Sequence, residues 1–432
     1  METKKGGILM KKVLVITYYW PPAGGPGVQR WLKFVKYLPD FDVAPIVYIP
    51  ENPHYPLIDD SLMDEIPKDI KCYKQPIFEP YGLSSLLSGK KTKRISSGVI
   101  TPKNQSVLER LMLWVRGNLF IPDARKFWVR PSVRFLGRVL KEHDIGTIIT
   151  TGPPHSLHLI GLKLKEQHHL QWIADFRDPW TSIGYHKKLK LSSNAQKKHK
   201  DLEYRVLNSA DKIVVTSKTT KQEFEQITTK PIKVITNGYA LPESTSAELD
   251  KKFTISHIGS MLADRNPINL WKVLGELVRD NPDFKSSLEL NFVGVLGENI
   301  LNSIQEYGLE KHVNVIGYLP HDQAVEYQLK SQILLLVEID SEETLGIIPG
   351  KYFEYLWANR PILGIGPSGW EVAEMITETK SGKVFDYTAN SELKNVILNW
   401  FESYEDQSLT ISSQHIEKYS RKELTRQLAE YI

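Results

Sequence analysis

Ser331–Pro367, SQILLLVEIDSEETLGIIPGKYFEYLWANRPILGIGP, reads as strand, loop, helix and strand. Ile333 to Val337 is an apolar run of parallel-sheet type, and Pro361 to Ile365 is another. Pro349 suits a first helical position, Tyr352, Phe353, Tyr355 and Leu356 supply apolar faces, and Asn359 and Pro361 end the helix. The loop 340–348 therefore brings unpaired amides to the carboxyl end of a strand, where they and the helix dipole favour an anion. Lys351 adds a cation one turn in, and Glu354, on the same face, suits sugar hydroxyls. The same residues also read as an ordinary crossover with solvated Lys351 and Glu354.

Working outward, 432 residues that are 41% hydrophobic exceed one ordinary core and predict two domains. The net charge of +4 is a small difference between 55 basic and 51 acidic residues, so no nucleic-acid partner is expected. Cys72 stands alone, which excludes internal disulfides and multi-cysteine metal sites and fits a reducing compartment. No apolar run approaches the ~20 residues of a membrane span. The opening METKKGGILMKKVLVITYYW lacks a small-residue cleavage site, so Val13 to Tyr19 reads as the first strand and the residues before Lys11 as an extension.

That strand opens into Pro21–Gly27, a glycine-rich turn with Gly24 and Gly25 that has neither dinucleotide nor P-loop spacing. Residues 51–130 read as an insertion over the strand ends. It carries a basic knot of Lys90, Lys91, Lys93 and Arg94 and an amphipathic segment, Val107 to Phe120. The segment reads either as a core-facing helix or as a rest on an anionic membrane. Strand Thr147 to Thr151 leads into Gly152-Pro153-Pro154-His155, and strand Trp172 to Ala174 into Asp175, Arg177 and Asp178, a charged cluster where ligands collect in such sheets. His186 to Lys200, with six lysines and no acid, reads as a mobile loop. Further alternation to Ile235 completes one domain, and Leu241 to Lys252 reads as a linker. Phe253 to Ile258 begins a second domain, ending in Gly259-Ser260 with Arg265 beyond. Leu288 to Val293 and Val313 to Ile316 follow, the latter entering Gly317, Tyr318 and Leu319.

Gly24-Gly25, the Ile258-Gly259 strand end with Arg265 six residues on, and Gly346 to Pro361 together resemble the retaining, nucleotide-sugar-dependent glycosyltransferases of family 4. The resemblance implies an α/β protein of GT-B fold, with two Rossmann-like domains of parallel strands facing a cleft. The boundaries expected are 10–244 for an acceptor domain, 245–410 for a nucleotide-sugar domain, and 411–432 for a helix crossing back. In that family's Glu-x7-Glu signature Glu354 matches the second glutamate, while Gly346 stands at the first. The lost contact would be absent, moved to Glu342 or Glu343, or replaced by main-chain amides. Ser260 likewise stands where an arginine is common, and Arg177-Asp178 where a His-Asp pair is frequent.

The resemblance further implies a nucleoside diphosphate sugar donor, no metal or other cofactor, and a glycan or lipid-linked acceptor in the cytoplasm, at the inner face of a membrane. Arg265 and Lys351 would stabilise the leaving phosphate, with Gly259, Ser260, Gly346, Ile347, Ile348, Pro349 and Gly350 around the donor. Glu354 would hold the ribose, and Gly317, Tyr318 and Leu319 would lie near the base. Asp175 and His155 would position groups or handle a proton, beside Gly24, Gly25, Arg177 and Asp178 on the acceptor side. The rival readings are a GT-B sugar-nucleotide epimerase and a noncatalytic sugar-nucleotide-binding protein.

Overall fold

The computed structural model describes residues 4–5, 8–79, 107–187, 189–240, 247–262 and 264–432. Two compact units are present. Unit 1 comprises Met1–Thr236 and Arg421–Ile432, and unit 2 comprises Asn237–Ser420. The boundary expected at 244 thus falls at Thr236, and the returning tail begins at Arg421 rather than 411. The basic knot at 90–94 and the linker residues 241–246 lie outside the described residues.

Unit 1 is built on seven strands: β1 (Lys11–Ile16), β2 (Val43–Pro50), β3 (Lys71–Gln75), β4 (Thr147–Gly152), β5 (Gln171–Phe176), β6 (Lys212–Val215) and β7 (Ile232–Val234). They pair in parallel in the order β3-β2-β1-β4-β5-β6-β7. Period-two alternation assigns β1 to two cores. Leu14 and Ile16 join one with Trp128, Leu136 and Trp172, while Val13 and Val15 join another with Trp31, Phe34, Leu424, Leu428 and Ile432. The helix Arg421–Tyr431 therefore covers one face of the unit 1 sheet. Its end is tied down further where Lys11, Lys212 and Lys233 Nζ donate to the carbonyls of Ile432, Tyr431 and Gln427. The extension before Lys11 forms a short antiparallel pairing of Lys4–Lys5 with Ile8–Leu9.

Unit 2 contains β8 (Phe253–Ile258), β9 (Leu288–Val293), β10 (Val313–Gly317), β11 (Ile333–Val337), β12 (Ile362–Ile365) and β13 (Gly382–Phe385). Their parallel order is β10-β9-β8-β11-β12-β13. The order reverses between β8 and β11, and in open α/β sheets ligands collect outside the carboxyl ends of such a pair. Ile333, Leu335 and Val337 enter one core, while Leu334 and Leu336 enter the other beside Tyr352, Phe353, Tyr355 and Leu356.

Three local expectations change. The segment read as a mobile lysine loop holds the helix Ser193–Ser209, which Ser192 caps by accepting from the Ala195 amide. Its buried positions include Ala195, His199, Glu203 and Val206, so the inward face carries polar types that hide the apolar period. Strand β3 was missed because its residues are half-buried or exposed at the sheet edge. Strand β5 continues through Asp175 and Phe176, beyond the expected end at Ala174.

Leu428 is buried against the β1 face, so Leu428→Ala is expected to cost unit 1 about 2–5 kcal/mol. Urea unfolding followed by tryptophan fluorescence checks this, since Trp31 lies in the same core.

Candidate functional site

At the carboxyl end of β8 the chain passes from His257 through Ile258 to Gly259, whose φ of 105° is open to glycine at little cost. A Cβ at Gly259 would stand 2.8 Å from Lys351 Nζ, so the bare Cα makes room for that amine. Lys351 is the second residue of the helix Gly350–Ala358, which Pro349 caps with φ −61° and ψ 137° and no side-chain hydrogen bond. Pro349 thus precedes the helix it was expected to begin. The first amides of this helix meet no capping side chain and keep their bias toward an anion.

Two cations reach the switch point. Arg265 Nη2 donates to Glu338 Oε1 at 2.9 Å, and Glu338, directly after β11, is wholly buried. The Ile339 amide also donates to Oε1, whereas Oε2 has no partner among the described residues. Lys351 Nζ lies 3.0 Å from His257 Nε2. Burial first, then the neighbouring Arg265 charge, pulls the Lys351 amine down to about 7 from its ordinary 10.5. Glu354 and Glu338 pull it the other way without prevailing. Burial, and then Lys351, keep His257 neutral well below the usual histidine range.

The other expected donor residues fall around this centre. Glu354 Oε2 accepts from Gln328 Nε2 at 2.8 Å, which orients the carboxylate. Gly346 lies in the loop before the helix, where Trp370 Nε1 donates to the Ile347 carbonyl and the Glu371 amide to that of Leu345. Ile348 is half-buried, and Ser260 is exposed. Glu342 and Glu343 sit exposed on a short turn, Glu342–Thr344. The carboxylate buried at this edge is Glu338, which, like His257, sequence reasoning missed. Glu338 directly follows the apolar run Ile333–Val337, and the signal lay in a charged group closing that run, whereas His257 lies within β8 among Thr254 and Ser256 and gave no such signal. Gly317 has φ 81° at the end of β10, Leu319 is half-buried and Tyr318 is 77% exposed, leaving a free aromatic face.

In unit 1 the expected acceptor-side residues gather at the carboxyl ends of β1, β4 and β5. Gly25 has φ 102° with open space at its Cβ position, while Gly24 packs against Leu57 and Asp59. Arg177 lies against the Cα of Gly27 and donates through Nε to the Gly152 carbonyl at 3.3 Å and through Nη2 to that of Pro153. Burial lowers Arg177 and raises Asp178, each against the pull of the other. His155 precedes the helix Ser156–Gln167, stacks on Trp180 at 4.8 Å, and is held neutral by burial. Neither of its ring nitrogens has a partner among the described residues.

Asp175 is placed differently from the others. Its carboxylate accepts from Arg30 Nη2 at 2.9 Å, Trp31 Nε1 at 2.8 Å and Thr151 Oγ1 at 2.8 Å, and it is 1% exposed. Arg30 is also buried and donates to the Thr236 carbonyl at 2.7 Å. The geometry makes Asp175 the anchor of Arg30 beneath the loop. Four histidines, His155, His158, His186 and His199, cluster nearby, yet among the described residues no group of three or more metal-ligating side chains is gathered in binding geometry.

With this geometry in view, the comparisons are consistent from both halves of the chain. The models of Glycosyltransferase Family 4 and of Glycosyl transferases group 1 match residues 92–241 and 243–423. The chain belongs to these glycosyltransferases, and its two Rossmann-like α/β units are those of the GT-B fold. Among solved structures, a glycosyltransferase from Rickettsia africae ESF-5 is similar with 12% identity and a TM-score of 0.58, over 98% of this chain and 97% of that one. The lipopolysaccharide outer core galactosyltransferase WaaB is 16% identical with a TM-score of 0.56, over 98% and 99%. A UDP-N-acetylglucosamine 2-epimerase is 12% identical with a TM-score of 0.50, over 98% and 95%. At these identities the likeness is one of fold. No curated protein matches the chain in sequence.

Asp175→Ala removes the only charged partner of a buried guanidinium among the described residues, and is expected to destabilise unit 1 by about 3–5 kcal/mol in chemical denaturation. A second expectation follows from Lys351. Its folded value near 7 lies below its ordinary 10.5, so between these limits the unfolded chain binds more protons. The penalty for burying the charged amine is complete below pH 7 and is relieved as pH rises. Stability of unit 2 should therefore climb from pH 7 toward pH 10 by on the order of 2–4 kcal/mol. In urea titrations across that range Lys351→Met should flatten the climb.

Proposed function

We propose that this glycosyltransferase moves a sugar, with retention of configuration and without a metal ion, from a nucleoside diphosphate donor to a glycan or lipid-linked acceptor. The setting is cell-surface polysaccharide or glycoconjugate synthesis at the cytoplasmic face of a membrane. The observation that carries the reading is the switch point of unit 2, where Arg265, Lys351 and the uncapped amides of the Gly350–Ala358 helix converge beside Gly259. Such a convergence suits a diphosphate, because fixed positive groups are strongest where water is excluded.

In the transfer, the bond from the anomeric carbon to the distal phosphate oxygen breaks and one to the acceptor oxygen forms. The acceptor proton passes to the departing phosphate. Arg265 and Lys351 offset the charge gained by that leaving group, and Glu354, oriented by Gln328, takes the ribose hydroxyls. The exposed face of Tyr318 is assigned to the base. Unit 1 is assigned the acceptor, with Gly25, His155, Arg177 and Asp178 as the groups that orient it. Neutral His155, with both ring nitrogens free of partners among the described residues, suits a hydroxyl.

A lipid-linked acceptor is supported by the helix Val107–Leu119. Leu113 and Gly117 are buried, whereas Leu111, Trp114 and Leu119 are exposed. Phe127 is exposed too, and Lys126 Nζ lies over the rings of Phe120 and Phe127 at 5.5 and 5.2 Å. Apolar side chains interleaved with a cation suit an anionic lipid surface. No described helix is long and apolar enough to cross a membrane.

Thermal-shift screening against nucleoside diphosphates and their sugars identifies the donor, since binding to the folded state raises the midpoint. With that donor, Arg265→Ala and Lys351→Ala are each expected to lower turnover by about 2–4 kcal/mol of transition-state stabilisation, with Arg265→Ala also destabilising unit 2 because it leaves Glu338 buried without a cation. Undiminished turnover in either variant rejects the assignment. Conversion of the donor sugar to its epimer with no acceptor present would instead make the enzyme an epimerase of this fold.

A further inference from the structure

His257 occupies the next-to-last position of β8 and is 1% exposed. Its Nδ1 lies 3.0 Å from the Leu335 carbonyl, which can only accept, so the ring proton belongs on Nδ1. Nε2 then carries a lone pair, and it faces Lys351 Nζ at 3.0 Å. The amine donates to this neutral nitrogen. Gly259, with no side chain, leaves it the space to do so.

Around this contact the charges are unbalanced. Lys351 has no carboxylate in ion-pair contact among the described residues. Oε1 of Glu338 is taken by Arg265 and the Ile339 amide, and Glu354 is hydrogen-bonded by Gln328. Arg265 is the main like charge acting on the amine, and Glu354 and Glu338 oppose it only in part. An ammonium here sits beside a guanidinium in a buried setting, which disfavours the proton. A bound anion reverses that balance, because it supplies the counter-charge the side chains withhold.

We propose that His257 is a positioning residue of the diphosphate site, holding the Lys351 amine over Gly259 until a nucleoside diphosphate draws it away with uptake of one solvent proton at Nζ. The bookkeeping is simple: the amine nitrogen gains a proton from solvent, becomes an ammonium, and exchanges the imidazole lone pair for phosphate oxygens. Burial that brings the amine near 7 supplies the range in which this exchange is visible at ordinary pH. Donor binding would then weaken as pH rises above 7, even though the nucleotide's own phosphate is already ionised there. The proposal rests on the donor reading above and adds to it the residue that holds the Lys351 amine in place.

Calorimetry of the full chain with uridine, guanosine and adenosine diphosphates at pH 8, in two buffers of different ionisation enthalpy, measures the protons taken up. At that pH an amine titrating near 7 is mostly neutral, so about 0.9 proton is expected on binding of the preferred nucleotide. Lys351→Arg, which keeps the charge but does not titrate, is expected to bind with no uptake. His257→Gln preserves an acceptor toward Lys351 and should keep both uptake and affinity within about threefold, whereas His257→Leu should weaken binding about tenfold while the uptake, set by burial and Arg265, remains. Binding by the wild type without proton uptake, uptake that persists in Lys351→Arg, or a His257→Leu protein that matches the wild type in affinity overturns this proposal alone. Failure of all three nucleotides to bind overturns the donor reading and this proposal with it. Should His257→Leu not fold, the Lys351→Arg and His257→Gln proteins decide the matter.

Discussion

Glu338 is a carboxylate buried without water contact at the end of an apolar strand, and such a group persists only if cations and amides reach it. Arg265 answers from the loop after β8, so the ion pair ties the two strands on either side of the switch point. The pairing uses one guanidinium nitrogen, and the remaining donors of the fork meet no acceptor among the described residues. Lys351 enters the same space without a carboxylate of its own among the described residues. The site therefore holds a fixed guanidinium beside an amine that gives up its proton readily, and we assign to it an anion that would restore that proton.

Unit 1 resolves a similar problem in the opposite way. Arg30 and Asp175 are both buried, and there the carboxylate is saturated by Arg30, Trp31 and Thr151. Nothing is left over to bind a ligand through Asp175. Both ring nitrogens of His155 are among the buried groups left without a partner among the described residues, whereas Arg177, which lies over Gly27, donates to the carbonyls of Gly152 and Pro153. Two sheets with related strand order thus place a closed charge network under one loop and an open one under the other. The open network is where we assign the charged part of the donor, because leaving-group charge needs groups that are fixed yet not fully paired.

The altered glutamate also acquires a physical context. Gly346 gives the loop before the helix a residue without a side chain, and Glu342 and Glu343 lie exposed on the turn that precedes it. Main-chain contacts to Glu371 and Trp370 hold that loop instead. Whatever the sugar contacts here, the loop is shaped by its own backbone and by Trp370, not by a carboxylate at position 346.

What could be read in advance was the alternation of strands and helices. Ile333–Val337 is an uninterrupted apolar run, while Phe253–Ile258 and Leu288–Val293 set apolar residues between polar ones, and short runs of this kind between loops leave little but strand to decide. Glycine and proline punctuation placed the loops, and Arg265, Lys351 and Glu354 were legible because charged residues beside such loops face the carboxyl edge of the sheet. What only the folded chain decided was partnership. His257, Glu338 and Asp175 look alike in sequence, as polar residues at the ends of strands, yet one holds an amine, one holds a guanidinium with an oxygen to spare, and one is wholly satisfied. The pairs Arg265–Glu338, His257–Lys351 and Arg30–Asp175 are 73, 94 and 145 positions apart along the chain, and local periodicity carries no information over such separations. The helix Ser193–Ser209 was hidden for a related reason: histidine and glutamate fill its inward face, and burial of polar groups becomes affordable only through contacts that tertiary structure supplies.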